Sequence, residues 1–470
     1  MLLIFCIVFT MDKTDTIAAI ATAVGNSGIG IIRISGSDSI LIADAVVKSR
    51  SGKNLDFKNK ASHTVSYGFV YDDDKCIDEV LVSLFKSPKS YTAEDCVEIS
   101  CHGGMYILNR VLETVLKNGA RLAGPGEFTK RAFLNGRIDL TQSEAVMDII
   151  SSENEFAMSN SIDQLKGSVK DMIISLREEI INECAFIEAA LDDPEHYSLD
   201  GYSEKLGNRI DDIIQKADIL IKSSKEADFL KEGIKAAIIG RPNVGKSSLL
   251  NMLLGYDRAI VTKEEGTTRD VIKEKISVDG IILNLIDTAG IRDSDNEAEK
   301  IGIEKTWENA KKADLIFVCL DSSEKINEYD LKILDYIRDK KAIILLNKND
   351  LKPVITEKNV KQYCKHCCIS ISAKNNEGID ELKSRIKEMF YNDKISDKNQ
   401  IYLTNIRQLN SFIKARESLG LVKEAIEKEM SEDVFTVDLM DAYDELGKII
   451  GESTDDALAD KIFEDFCMGK

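Results

Sequence analysis

The chain is short of positive charge. Against 81 Asp and Glu it sets 62 Lys and Arg, a formal net charge of -19 over 470 residues, which argues against a free-standing basic nucleic-acid clamp. Any nucleic acid would need a local basic patch or a partner's surface. Long apolar runs are also missing. The opening MLLIFCIVFT is apolar, but ten residues cannot cross a bilayer, and no basic region precedes them as in a secretory signal. Met11 opens MDKTDTIAAIATA like a natural start. The expectation is that residues 1 to 10 come from a mis-assigned upstream start, which N-terminal sequencing that finds Met1 would contradict. The ten cysteines lack regular spacing, so they read as reduced thiols in a cytosol rather than as a secreted disulfide framework. Internal repeats and low-complexity tracts are absent.

What is present suits a soluble globular protein: 43% hydrophobic and 30% charged residues. The length asks for roughly three domains. Residues 11–128 mix short β-branched runs (GIIRIS, VEISCH) with turns and a helical stretch near 104 to 118, an α+β pattern. From about 140 to 191 apolar residues recur at helical spacing with one glycine among them, and after Pro194 a further helix is predicted from Ser203 to about Lys231. Residues 233–390 alternate apolar strands (AAIIG, ILNLID, LIFVCLD, AIILLN, CISIS) with amphipathic helices, the signature of a parallel sheet covered on both faces. Helices resume from Asn405. The predicted fold class is multidomain, α/β and all-α: an N-terminal α+β domain, a helical domain in two parts (129–232 and 391–470), and an α/β domain inserted between them.

The inserted domain carries four ordered motifs, each leaving an apolar strand. The first, GRPNVGKSSLLN from Gly240 to Asn251, fits G-x-x-x-x-G-K-[ST]. Backbone amides of Asn243, Val244 and Gly245 would approach phosphates at a helix N-terminus, Lys246 would reach the outer phosphates, and Ser247, followed by Ser248, would ligate magnesium. GTTRD at 266 to 270 offers Thr268 as a second magnesium ligand on a switch segment. In DTAG, Asp287, Thr288, Ala289 and Gly290 face the magnesium and terminal phosphate. In NKND, Asn347 and Lys348 lead to Asp350, whose carboxylate suits the imino and amino donors of guanine; adenine has neither on that edge. SAK (Ser372, Ala373, Lys374) completes the base pocket. After DTAG stands Ile291, where Ras-like enzymes place a water-orienting glutamine, so the polar residue must come from elsewhere, and Glu299 is the candidate.

With GIGIIRISG (28 to 36), SYTAEDCVEISCHGG (90 to 104), GPGEFTKRAFLNGRIDLTQSEAV (124 to 146) and the terminal CMGK, this set resembles the MnmE (TrmE) family of tRNA modification GTPases over residues 11 to 470. The resemblance implies a Ras-like P-loop GTPase domain that dimerises and is stimulated by potassium. On matching positions, Asn243, Thr262, Thr267 and the Glu264 carbonyl would hold K+, and Glu299 would be the catalytic glutamate. It implies an N-terminal domain that binds a one-carbon tetrahydrofolate (methylene- or formyl-) through Arg33, Glu98, Arg137 and Lys470. A pterin's guanidine-like edge suits a carboxylate and its glutamyl tail suits cations. It further implies a cytoplasmic homodimer that forms a heterotetramer with the FAD-dependent MnmG (GidA) protein. With it, an aminomethyl or carboxymethylaminomethyl group goes onto carbon five of the wobble uridine of tRNA.

The last residues, FEDFCMGK, admit two readings. Cys467 is either an accidental thiol on a frayed end or, on the family's Cys-x-Gly-Lys motif, a nucleophile that adds to carbon six of uracil and makes carbon five reactive toward a one-carbon unit. Asp441 to Lys470 holds nine acids against three lysines, so this end should repel phosphates and leave most of the tRNA surface to the partner. The loop AVGNSGIG, 23 to 30, lacks an arginine that relatives often carry. The cluster YCKHCC, 363 to 368, could ligate a metal through three cysteines and His366, but its place across a helix end and a buried strand favours packing. Two rivals stand beside this reading. One is an Era-like regulatory GTPase of ribosome or RNA assembly without modification chemistry. The other is a folate-binding scaffold whose nucleotide site is structural.

Overall fold

The computed structural model describes residues 15–23, 25–256, 274–278, 280–286, 307–308, 310–390, 401–452, 461–463, 466 and 469. The described residues of Met1–Met147, Gln164–Asn182 and Tyr443–Lys470 form one compact unit, and those of Asp148–Asp163 and Glu183–Ala442 form another.

In the first unit, seven strands make one sheet: β1 (Ile17–Ile20), β2 (Gly30–Ser35), β3 (Val47–Lys48), β4 (Thr64–Asp72), β5 (Lys75–Phe85), β6 (Cys96–Cys101) and β7 (Arg121–Leu122). Their order is β3-β4-β5-β6-β2-β1-β7. Only β1 and β7 pair in parallel. The alternation in β2 and β6 splits the sheet into two faces. Ile32, Ile34, Val97 and Ile99 point into a core shared with α1 (Ser39–Val46) and α2 (Met105–Lys117). The opposite face carries the lateral row Ala19, Arg33, Glu98 and Ser83, fixed by strand register. Phe128 of α3 (Glu127–Leu134) packs there against Ile17 and Ala19. The C-terminal residues join this unit: Phe463 and Phe466 pack on Leu140, Phe133 and Met147, at the start of α4 (Leu140–Ser151).

The helical stretch that the sequence predicts after residue 140 is interrupted twice, giving α4, α5 (Glu155–Leu165) and α6 (Ser168–Asp192). Asn154 Oδ1 accepts the Ala157 N–H at 2.7 Å and starts α5. Gly167, at φ +103°, separates α5 from α6.

The second unit contains α7 (Tyr202–Glu232) and a six-stranded sheet of β8 (Ile234–Ile239), β9 (Glu274–Val278), β10 (Ile281–Leu285), β11 (Leu315–Asp321), β12 (Ala342–Asn347) and β13 (Cys367–Ser370). The order is β13-β12-β11-β8-β10-β9. Five strands run parallel; β9, which the sequence pattern did not reveal, joins β10 as an antiparallel edge. Alternate residues of β11 feed two cores, Leu315 and Phe317 on one side and Ile316, Val318 and Leu320 on the other. Both faces are therefore covered, and all seven residues of the strand are buried. The described helices here are α8 (Lys246–Tyr256), α9 (Glu328–Tyr336), α10 (Glu357–Val360), α11 (Ile379–Phe390) and α12 (Ile406–Glu427); α13 (Glu432–Ile450) follows them in the chain. α7 and α12 pack lengthwise. Leu206, Ile210, Ile213 and Ala217 of α7 and Phe412, Ala415, Leu419 and Val422 of α12 are buried at alternating spacings of three and four. The pairs Asp218–Arg416 at 2.9 Å and Asp211–Lys423 at 2.6 Å make the two helices antiparallel. Among the described residues, no helix is long and apolar enough to cross a membrane.

Candidate functional site

In an open parallel sheet a ligand site forms beyond the carboxyl ends of the strands, where the strand order reverses. Here that point lies beside β8, which has β10 and β9 on one side of it in the sheet and β11, the next strand after them in the chain, on the other. The loop from Gly240 to Gly245 leaves β8 there and runs directly into α8. Asn243 takes φ +64° and Gly245 φ +96°. A Cβ on Gly245 would lie 2.1 Å from Asn347 Nδ2, so no other residue fits. The Lys246 ammonium lies across the loop and donates to the carbonyls of Gly240 at 2.9 Å and Arg241 at 2.6 Å. Burial holds its pKa below the ordinary lysine value, with Cys319 opposing weakly.

Asn347, 2% exposed at the end of β12, ties three motifs together. Nδ2 donates to the Val244 carbonyl at 2.8 Å and Oδ1 accepts the Ala373 N–H at 3.0 Å. The residue therefore holds the phosphate loop and the SAK segment to its own strand. Asp350 Oδ1 accepts from Ser372 Oγ at 2.7 Å, which orients an exposed carboxylate at the end of the NKND turn. Lys374 is exposed, Ser247 is half-buried and Ser248 is exposed. The NKND and SAK motifs are thus built side by side at one sheet end. Thr262, Glu264, Thr267, Thr268, Asp287, Thr288, Ala289, Gly290 and Glu299 lie outside the described residues.

A second cluster sits on the open face of the first sheet. Arg33 and Glu98 stand opposite each other on β2 and β6. Arg33 Nε donates to Glu98 Oε1 at 2.9 Å, and Nη2 lies 2.9 Å from the same oxygen. Glu98 Oε2 makes no hydrogen bond among the described residues. The Arg33 guanidinium lies over Tyr91 at 5.1 Å and Phe128 at 5.6 Å from the ring centroids. Arg137 stacks over Tyr91 at 5.0 Å and donates from Nη1 to the Tyr91 carbonyl at 2.9 Å. Two residues that a family resemblance alone picked out, Arg33 and Arg137, thus converge on Tyr91, which sequence reasoning missed, and a third, Glu98, joins them through Arg33.

The C-terminal tail reaches this cluster. Arg33 Nη1 donates to the Gly469 carbonyl at 3.4 Å. Gly469 has φ +86°, and a Cβ there would lie 2.2 Å from the Ile20 carbonyl oxygen. Phe463 and Phe466 are 2% and 8% exposed, with Gly126 close enough that a Cβ would lie 2.6 Å from the Phe463 oxygen. The described tail residues are seated, so a frayed end does not describe them. Cys467 and Lys470 lie outside the described residues.

The YCKHCC cluster packs instead of converging. Cys364 is buried and Cys367 and Cys368 are partly so. Burial raises all three thiols, that of Cys368 to about 12. His366 Nε2 bonds the Ile337 carbonyl at 2.7 Å. Among the described residues, no group of three His, Cys, Asp or Glu is placed to hold a metal.

Comparison with known proteins covers nearly the whole chain. The family model for the MnmE helical domain matches residues 140–467, and that for the GTP-binding protein TrmE N-terminus matches residues 16–137. The chain belongs to the MnmE family. The tRNA modification GTPase MnmE of Lachnoclostridium phytofermentans is 51% identical over 458 residues, covering 97% of this chain and 100% of the relative. That of Clostridioides difficile is 45% identical over 457 residues, covering 97% and 99%. Among solved structures, the G domain of T. maritima FeoB is 28% identical, covering 33% of this chain and 97% of its own, with a TM-score of 0.26.

Beside the NKND segment, sequence reading also missed Asp321. It ends β11 as an acid after an apolar strand, and no motif marks it. Its Oδ2 lies 2.6 Å from Lys348 Nζ. Burial alone would raise its pKa, but hydrogen bonds from Lys348 and Ser323 outweigh burial and hold it below the ordinary carboxylate value. Arg241 of the phosphate loop was missed too. Its Nη1 pairs with Glu324 at 3.1 Å, and its Nε lies 3.0 Å from Asp330, which is fully buried.

Proposed function

We propose that this chain is a potassium-stimulated GTP hydrolase. Working as a cytoplasmic homodimer and with the FAD-dependent MnmG (GidA) protein, it installs an aminomethyl or carboxymethylaminomethyl group at carbon five of the wobble uridine of tRNA, using a one-carbon tetrahydrofolate. The observation that carries the reading is the 51% identity, across the whole of its length, to a protein named as a tRNA modification GTPase. The N-terminal and terminal segments within that match have no use in an Era-like assembly GTPase.

The residues present fit a nucleotide. Gly245 leaves room that a Cβ would fill, and Asn347 braces the loop through the Val244 carbonyl. Asn243, Val244, Gly245 and Lys246 would hold the phosphates, Ser247 and Thr268 the magnesium, and Asp350 with Ser372, Ala373 and Lys374 the guanine. Asn243, Thr262, the Glu264 carbonyl and Thr267 would hold K+, and Glu299 would orient the attacking water in place of the glutamine that Ile291 replaces. The ions supply charge neutralisation at the transferring phosphoryl group.

The first-unit cluster fits a pterin. Glu98 Oε2 is open to the guanidine-like edge, Tyr91 and Phe128 offer aromatic surface, and Arg33, Arg137 and Lys470 supply the cationic side. Cys467 is the proposed nucleophile toward uracil carbon six, delivered by a tail that Phe466 and Gly469 seat on either side. Two measurements test the reading together. GTP turnover in KCl should exceed that in NaCl by an order of magnitude or more, and nucleoside analysis of tRNA from cells carrying Cys467→Ser should lack the wobble modification. Equal turnover in the two salts overturns the potassium site, and persistent modification overturns the thiol's role.

A further inference from the structure

Lys348 takes φ +65°, a left-handed backbone that a lysine keeps only when its surroundings impose it. The turn carries the side chain back over the end of β11, where Nζ meets Asp321 Oδ2 at 2.6 Å. Asp321 is 3% exposed. Its other oxygen accepts the Ser323 N–H at 2.9 Å and the Ser323 hydroxyl at 2.6 Å. The ammonium is thus fixed on a buried and fully engaged carboxylate, while a third of the lysine side chain stays exposed, two residues before Asp350.

We propose that Asp321 is a positioning residue of the nucleotide site: by anchoring Lys348 Nζ it fixes the lysine's methylene stem as one wall of the base pocket. The inference rests on the reading of Asn347 to Asp350 as the guanine-binding segment. A loose lysine stem has many rotamers and must be ordered at each binding event; an anchored one is ordered in advance. The wall touches the base and not the terminal phosphate. Loss of the anchor therefore weakens GDP and GTP by the same factor and leaves the hydrolytic step alone.

The test uses the full chain and a ribose-labelled fluorescent GDP, with GTP turnover measured in parallel. Asp321→Asn should raise the Kd for labelled GDP and the KM for GTP by about three- to tenfold, the scale of immobilising one rotamer-rich side chain, with kcat within about twofold. Because Asp321 acts through Lys348, adding Asp321→Asn to Lys348→Met should weaken binding no further than Lys348→Met alone. A wild-type Kd in Asp321→Asn overturns the proposal. So does an equal further loss in the Lys348→Met background, since Asp321 would then act by general destabilisation. If Asp321→Asn does not fold, Ser323→Ala, which removes one donor and no charge, should shift Kd in the same direction; an unchanged Kd there overturns it equally. Failure of the wild-type chain to bind labelled GDP overturns the reading of the site itself.

Discussion

The side-chain amide of Asn347 donates to the backbone carbonyl of Val244, 103 positions earlier in the chain, at 2.8 Å. A buried side chain from the NKND motif thereby sets the height of the Gly240–Gly245 loop. With Ala373 bonded to the same side chain, one residue holds three motifs in register.

Asn347→Ala should therefore damage the site through the two backbone groups it braces. It leaves a buried carbonyl and a buried N–H unpaired, each costing about 1–3 kcal/mol. Thermal unfolding should shift down, and the Kd for GDP should rise at least about tenfold. Asn347→Asp keeps the acceptor for Ala373 but sets an anionic oxygen against the Val244 carbonyl, so calorimetry should find it weakened as well. Wild-type affinity in both variants contradicts the bracing role.

Gly469→Ala tests the seating of the tail. The added Cβ would meet the Ile20 carbonyl at 2.2 Å in a left-handed backbone, a clash worth about 1–3 kcal/mol if the neighbours cannot move. The tail should lift instead, and the Arg33 contact should go with it. Hydrogen exchange should accelerate across residues 461 to 463, and tetrahydrofolate affinity should fall. Unchanged exchange would mean that the tail's seat does not depend on this glycine.

Acid should loosen the first unit. Burial would raise the carboxyls of Asp15 and Glu127, but ion pairs outweigh it. Asp15 pairs with Arg121 at 2.7 Å and Arg131 at 2.5 Å, and Glu127 with Arg121 at 2.7 Å and Arg131 at 3.2 Å. Both are held below their ordinary values of 3.8 and 4.5. A depressed carboxylate contributes stability that is complete above its unfolded pKa and is lost as pH falls through its folded pKa. The melting temperature should thus hold from about pH 7 to 5 and fall below about pH 4. Arg131→Met should cost about 1–3 kcal/mol at neutral pH, because Asp15 and Glu127 each lose one of two arginine partners, and should flatten the acid slope. A slope as steep as wild type contradicts the assignment.

Much of this was legible in the residues. LIFVCLD and AIILLN are continuous apolar runs because both sheet faces are covered, and the spacing that predicted a helix over 104 to 118 became Met105–Lys117. The edge strand β9 was not legible, since KISV between charged residues lacks a long alternation. The breaks at Asn154 and Gly167 were hidden within one apolar period. Asp321, Tyr91 and the seat for Gly469 were invisible for a different reason. Their roles come from partners far along the chain, and only the fold supplies those partners.

Asp350, oriented by Ser372 beside the braced Gly240–Gly245 loop, is the residue proposed to select guanine. Isothermal titration of the full chain with GTP and with ATP tests it most directly. GTP should bind at least about a thousandfold more tightly, because adenine leaves the carboxylate without its two donors. Equal affinity for the two nucleotides would contradict that role for Asp350.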